Sequence, residues 1–249
     1  MIEAKGLVKK FGDFMAVRGI DLKVLPGEIY GFLGPNGAGK TTTIRMLTGT
    51  LKPSSGEVRI LGMRMDESEI EIKRSIGVVP DEPKIYENLK GREFLEFIMD
   101  IFKCPRSETL SRLSELCEAF GVDYLDNFAG EYSHGMKQKL MVISVLMRKP
   151  RVIFLDEPTV GLDARSAKIL KLLLRKYADE GSTIFMTTHV LEVAEKMCDR
   201  IGIINEGLLI AEGTLDELRQ LSKEGHKNLE DLFLELTGQG KVDEIIQAL

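Results

Sequence analysis

Three observations predict an α/β fold with a mixed-sheet core, an antiparallel β subdomain and an inserted helical subdomain. A glycine-rich turn joins a short apolar run, Ile29 to Leu33, to a helical pattern that begins near Lys40. From about Asn88 to Lys149 the apolar residues recur at helical spacing alone, and from Val152 strand and helix patterns alternate again. At 249 residues the chain fits one large domain, or a domain with a substantial subdomain. Apolar content of 43% and charged content of 29% are ordinary for a globular protein. A net charge of −5 offers no footprint for nucleic acid. Cys104, Cys117 and Cys198 lack paired ligand spacing, so reduced thiols are expected rather than a metal site. No apolar run approaches the roughly 18 residues of a membrane helix. The longest, Leu140 to Met147, is the size of a core segment, and Lys5, Lys9 and Lys10 break up any signal-peptide pattern. If this chain serves a membrane, other chains must cross it.

The elements follow in order. Residues 1 to about 33 read as strands separated by turns at Gly12-Asp13 and Pro26-Gly27. Ile44 and Leu47 lie one helical turn apart, and Gly49 is placed to stop that helix. After the turn Pro53 to Gly56, Glu57 to Ile60 alternates like a half-buried strand, and Ile76 to Val79 is another short strand closed by Pro80-Asp81-Glu82-Pro83. In the helical stretch, Phe94, Leu95, Phe97, Ile98, Ile101 and Phe102 form a broad apolar face, expected to pack within the insertion. A second helix ends at Gly121 and a third follows Ser133. The strand Val152 to Leu155, a helix from about Ala164 to Tyr177, the strand Thr183 to Thr187, a helix through Ala194 and the hairpin Ile201 to Ala211 come next. Thr214 and Glu217 open one more helix as a capping box. The division expected is a cassette over residues 1–221, with core segments 1–84 and 150–221 around the insertion 85–149, followed by a short helical tail over 222–249.

The chemistry starts at Gly34-Pro35-Asn36-Gly37-Ala38-Gly39-Lys40-Thr41-Thr42, which matches G-x-x-x-x-G-K-[ST] between a strand and a helix. The glycines let successive N–H groups curl inward into an anion-binding concavity, and the positive end of the helix dipole faces it. Lys40 supplies a mobile charge for β- and γ-phosphates, and Thr41 a hydroxyl for Mg²⁺. The core is therefore read as that of a P-loop NTPase, binding a nucleoside triphosphate. Asp156 and Glu157 end a buried-type strand. A carboxylate there can hold Mg²⁺ through water, which suits Asp156, while Glu157 leaves the strand in another direction to orient or deprotonate water. Ser133 and the amides after it, Gly135 included, form either a plain helix cap or a second anion site at a helix N-terminus.

The order of these motifs, together with Gly161-Leu162-Asp163 and the lone His189, resembles the ATPase subunit of ABC transporters over nearly the whole chain. The resemblance implies ATP and Mg²⁺ as cofactors. It implies that Ser133 and Gly135 belong to the signature that reaches the γ-phosphate of ATP held by a second copy or a paralogue, in a head-to-tail dimer around two ATP. Asp163 then belongs to the loop linking the two sites, and His189 to a switch that senses γ-phosphate, although a lone histidine is commonly a structural group. Phe11 aligns with the aromatic residue that stacks on adenine, with Phe14 as a substitute; either is otherwise a core residue.

Two departures from the family pattern stand out. Asp81 occupies a place where glutamine is usual, and two readings stand side by side, an anion approaching Mg²⁺ or a turn residue bounded by prolines. The signature reads Tyr132-Ser133-His134-Gly135-Met136, a form similar to that of ABC-2 type exporters, which would set His134 near the opposite γ-phosphate. The tail Asn228 to Gly238, with Leu229, Leu232, Phe233 and Leu236 on one face, also resembles that branch. The function implied is ATP hydrolysis driving export through separate transmembrane permease subunits at the cytoplasmic face of the membrane, with Lys40, Glu157 and His189 catalytic and no nucleic acid as partner. An importer ATPase of the same fold, or a soluble ATP switch acting on nucleic acid or ribosomes, is the alternative.

Overall fold

The computed structural model of the chain describes residues 1–220 and 229–237. Along the chain run β1 (Ile2–Phe11), β2 (Phe14–Val24), β3 (Ile29–Leu33), α1 (Lys40–Leu47), β4 (Ser55–Ile60), β5 (Met63–Arg64), α2 (Glu69–Ser75) and β6 (Ile76–Val79). The helices α3 (Gly91–Ile101), α4 (Arg106–Phe120) and α5 (His134–Leu146) follow, with a 3₁₀ turn at Ala129–Glu131. Then come β7 (Val152–Asp156), α6 (Ala164–Asp179), β8 (Thr183–Thr188), α7 (Leu191–Met197), β9 (Arg200–Asn205), β10 (Leu208–Gly213), α8 (Leu215–Gln220) and α9 (Leu229–Thr237).

The strands form two sheets. An antiparallel four-stranded sheet has the order β2-β1-β4-β5, and a mixed six-stranded sheet the order β10-β9-β3-β8-β7-β6. Within the second sheet β9, β3, β8, β7 and β6 are mutually parallel, and only β10 pairs antiparallel. Parallel strands are covered on both faces, so they read as continuous apolar runs rather than alternating ones. Every residue of β3, β7 and β8 is buried accordingly. One apolar cluster lies between the two sheets around Phe32, Phe154, Phe185 and Ile44 of α1. A second joins Ile153, Leu155 and Ile184 of the mixed sheet to α3, α4, α5 and α6.

Local signals place several elements where the sequence predicts them. Thr214 N donates to Glu217 Oε2 at 2.7 Å and Glu217 N to Thr214 Oγ1 at 3.3 Å, which is the expected capping box of α8. Leu229, Leu232 and Phe233 of α9 are buried against Ala194, Ile201, Ile203 and Leu218, with Leu236 packed at the edge. Leu221 to Asn228, and everything beyond Thr237, lie outside the described residues.

The face on α3 needs correcting. Phe94, Leu95 and Met99 are buried, but Phe97 remains 39% and Ile101 53% exposed, with Tyr86 (62%) edge-on to Phe97 at 5.7 Å. Six apolar positions within nine residues span more of the helix circumference than α4 and α5 cover, so Phe97 and Ile101 stay in water. α2 also goes unseen in the sequence. Glu69-Ile70-Glu71-Ile72 alternates with period two, as a strand would, and only Ile72 of α2 is buried.

Candidate active site

β3 lies between β8 and β9 at the centre of the mixed sheet, so the turn that follows it opens at the carboxyl edge. A β-carbon at Gly34 would lie 2.4 Å from the Ile204 carbonyl oxygen of β9; only glycine lets the chain leave the sheet there. Gly39, with φ +108°, stands at the N-cap of α1 in the left-handed region. No side chain caps α1, so its leading N–H groups remain available to an anion at the positive end of the helix.

The register of the neighbouring strands brings the acids to the same edge. Leu33 pairs with Thr188, and Asp156 with Thr187. The Thr187 hydroxyl donates to Asp156 Oδ1 and accepts from Glu157 N at 3.1 Å, so one side chain orients both acids. Glu157 has φ +50°, a left-handed conformation of order 1–3 kcal/mol above the ordinary one, and Pro158 follows it. That turn takes the chain out of the strand at Glu157, whose carboxylate faces Lys40 and His189. Glu157 Oε1 is 3.0 Å from His189 Nδ1 and 3.6 Å from Lys40 Nζ, while His189 N donates to Oε2 at 3.3 Å. Lys40 Nζ also donates to the carbonyls of Gly34 (2.7 Å) and Pro35 (3.2 Å). Burial pulls the Lys40 pKa down, against the opposing pull of Glu157, Asp156 and Asp81.

A cleft of about 170 Å³ is lined by Asn36, Gly37, Gly39, Lys40, Thr41, Thr42, Asp81 and Glu157. The structure thus gathers most of the phosphate loop, Asp81 and Glu157 around one space, with Asp156 and His189 beside Glu157 and Ala38 buried beneath. Phe11, Ser133, Gly135 and Asp163 do not line it. Phe11 is 50% exposed at the end of the β1–β2 hairpin, with the Lys9 ammonium 5.1 Å from its ring centroid; Phe14 beside it is exposed too, so neither is a core residue. Ser133 caps α5, accepting from Met136 N at 3.3 Å, and Asp163 caps α6, accepting from Ser166 N at 2.8 Å. Lys139 and the Ser166 bonds hold the Asp163 carboxyl well below the usual carboxylate range.

Oxygen donors for a divalent cation are present in this cleft. Thr41 and Asp81 line it, and Asp156 Oδ2 makes no hydrogen bond among the described residues. Among those residues no group of three or more His, Cys, Asp and Glu could hold a metal alone. The donors fit Mg²⁺, which keeps water and phosphate oxygens as most of its ligands, better than an ion caged by protein. Burial, then the charges of Asp156 and Glu157, raise the Asp81 pKa. An acid whose folded pKa is raised costs the fold stability as pH climbs from the ordinary range near 4 through the raised value. Asp81→Asn should therefore raise the Tm at pH 7 by about a degree and leave it unchanged at pH 3.5, because the group is largely exposed. Thermal unfolding at the two pH values checks this, and an equal shift at both would remove the carboxylate crowding as its cause.

Sequence reasoning passes over two partners of this site. Thr187 could have been found from its place before Thr188 and His189 at a strand end, but its role depends on register with Asp156. Lys139 pairs with Asp163 Oδ2 at 2.9 Å, a contact between residues 24 apart that no local pattern announces. The His134 ring lies against Gly161 of its own chain.

A family model described as "ABC transporter" matches residues 17–160, from within β2 to Val160 just past Glu157. The chain belongs to the ABC transporter family. A second match, described as "AAA domain, putative AbiEii toxin, Type IV TA system", covers residues 127–195 of this ABC chain, the stretch that holds Ser133, Asp156, Glu157 and His189. Among curated relatives, the probable multidrug ABC transporter ATP-binding protein YbhF of Escherichia coli is 38% identical over 240 residues, 95% of this chain. The chain spans only 41% of the length of YbhF. The bacitracin transport ATP-binding protein BcrA of Bacillus licheniformis is 38% identical over 97% of this chain and 76% of its own. A solved ATP binding subunit of an ABC transporter superposes with a TM-score of 0.91 at 31% identity, covering 95% of this chain and 99% of the other. The cassette MJ0796, solved as a dimer in a post-hydrolysis state with ADP and Pi, gives 0.78 at 25% identity over 86% and 99%. The ABC ATPase cassette fold, with its mixed and antiparallel sheets and its helices, is the one expected from the sequence.

Proposed function

We propose that this chain is an ATP-hydrolysing cassette that closes head to tail with a second copy or a paralogue around two ATP, and that drives export through separate membrane chains. The observation that carries this reading is the incompleteness of the cleft. The phosphate loop and Glu157 line one side of it, while Ser133, Gly135 and Asp163, on α5 and at the start of α6, do not reach it. A second cassette facing the opposite way would supply them.

Each residue then has a task. The leading N–H groups of α1 and the Lys40 ammonium would bind the β- and γ-phosphates, and Phe11 would stack on adenine. Thr41 and Asp156 would hold Mg²⁺, with Asp81 near it; a bound Mg²⁺ would neutralise charge on the phosphate oxygens. Glu157 would take the proton of the attacking water, and His189, bonded to it through ring and backbone, would keep that carboxylate aimed. The division into core segments 1–84 and 150–221 around an insertion 85–149, and a tail over 222–249, belongs to the same reading. Among the described residues no helix is long and apolar enough to cross a membrane. The exposed patch of Tyr86, Phe97 and Ile101, next to the Asp81 loop, suits short helices of a membrane partner on the cytoplasmic face. The multidrug and bacitracin-transport names of the relatives support export over import.

Turnover measured against protein concentration tests the half-site reading. The rate per chain should rise with concentration, because each site needs two chains, and then reach a plateau. A rate per chain that stays constant down to nanomolar protein would mean that one chain suffices.

A further inference from the structure

Gln138 is fully buried in α5, yet neither Oε1 nor Nε2 of its amide has a hydrogen-bond partner among the described residues. Buried side-chain amides are nearly always paired, since losing water without gaining a bond costs free energy. Methionine or leucine would fill the same space without that cost, so the amide calls for a use.

Its surroundings indicate one. A β-carbon on Gly135 would lie 2.6 Å from the Gly161 carbonyl oxygen, and one on Gly161 would lie 2.3 Å from His134 Cδ2. The first turn of α5 therefore rests directly on the loop that leads from Glu157 to Asp163. Gln138 is four residues after His134 and three after Gly135, and helical side chains lean toward the preceding turn. That lean directs its amide toward the turn that touches Gly161. Two turns further along the same face, Val145 packs on Gly77 of β6, so this stripe of α5 covers the sheet edge leading to Asp81. Lys139, the next residue, already ties α5 to Asp163. The Gly161 carbonyl accepts no hydrogen bond among the described residues. An amide without a partner on α5 and a carbonyl without one on the loop thus belong to the same helix–loop contact.

We propose that Gln138 is a positioning residue. When ATP-driven closure tightens α5 onto the loop, Gln138 Nε2 donates to the Gly161 carbonyl, and this bond holds the segment between Glu157 and Asp163 in its working place. The inference rests on the ATPase reading above. Gln138 does not line the nucleotide cleft, so it acts through the loop and not on ATP.

The test uses the full chain carrying Gln138→Met and, separately, Gln138→Leu, both apolar and of similar volume. Each should lower kcat about tenfold, the worth of one buried hydrogen bond made only in the closed state. The Kd for ATP should stay that of wild type, and the Tm should match or exceed it, because an unpaired amide has been replaced by apolar atoms. In a Glu157→Gln background either change should also weaken the ATP-dependent dimer in light scattering. Wild-type kcat in both variants would overturn the proposal and leave the ATPase reading intact. A parallel loss of kcat, ATP affinity and Tm in both would reduce Gln138 to a packing residue. Absence of ATP turnover in the unaltered chain would remove the ATPase reading, and this inference with it.

Discussion

Glu157→Gln is expected to cut ATP turnover by at least about a hundredfold, the lower end of what a positioned general base supplies, while an ATP-bound dimer persists. Glutamine keeps the shape of the side chain and can still accept from His189 N, which Glu157 Oε2 does at 3.3 Å. It cannot take a proton from water, and it no longer carries the charge that faces Lys40 Nζ at 3.6 Å. Losing that charge should help ATP to bind, because the Lys40 ammonium is released from a competing carboxylate and one anion leaves the phosphate cleft. The variant should therefore bind ATP at least as well as the unaltered chain. Phosphate release measures the first effect, and light scattering at saturating ATP the second. Full turnover would move the base elsewhere, with Asp156 the nearest carboxylate at the strand end. A chain that stays monomeric with hydrolysis blocked would break the half-site reading.

Lys40→Ala acts on binding. A charge-assisted hydrogen bond to phosphate contributes about 1.5–3 kcal/mol, so its loss should weaken ATP binding roughly ten- to a hundredfold. The environment enlarges the effect. Lys40 is the cation that faces Asp81, Asp156 and Glu157, and the first and last of these line the same small cleft. Removing the ammonium leaves those carboxylates to repel the triphosphate. Alanine also abandons the bonds to the Gly34 and Pro35 carbonyls, which brace the loop at its exit from β3. Titration of a fluorescent ATP analogue against both chains gives the ratio directly. Equal affinities would mean that the glycine-rich turn is not the phosphate site.

How much of this was readable in advance follows from the range of each interaction. The glycine-rich turn is legible because its geometry is local. Gly39 at φ +108°, the uncapped start of α1 and the buried strand before it arise within a few residues of one another. The caps at Ser133 and Thr214 are legible for the same reason: each accepts from a backbone N–H three residues on. The α3 face misled because helical spacing counts apolar residues without saying how many neighbours cover them, and Phe97 and Ile101 stay in water. α2 went unread because two isoleucines at alternate positions give no helical period, while only the second meets the core.

From the order of its residues alone, this chain is committed to an α/β core with a phosphate loop, two acids at a strand end and a helical insertion between them. Backbone spacing, apolar period and capping are short-range properties that any contiguous stretch carries with it. Tertiary structure alone decides that Thr187 orients Asp156 and Glu157, that Lys139 reaches Asp163, and that Gln138 is buried unpaired in the helix that rests on Gly161. Those relations depend on strand register and on how α5 lies across the sheet, which are set by packing among residues far apart in the chain.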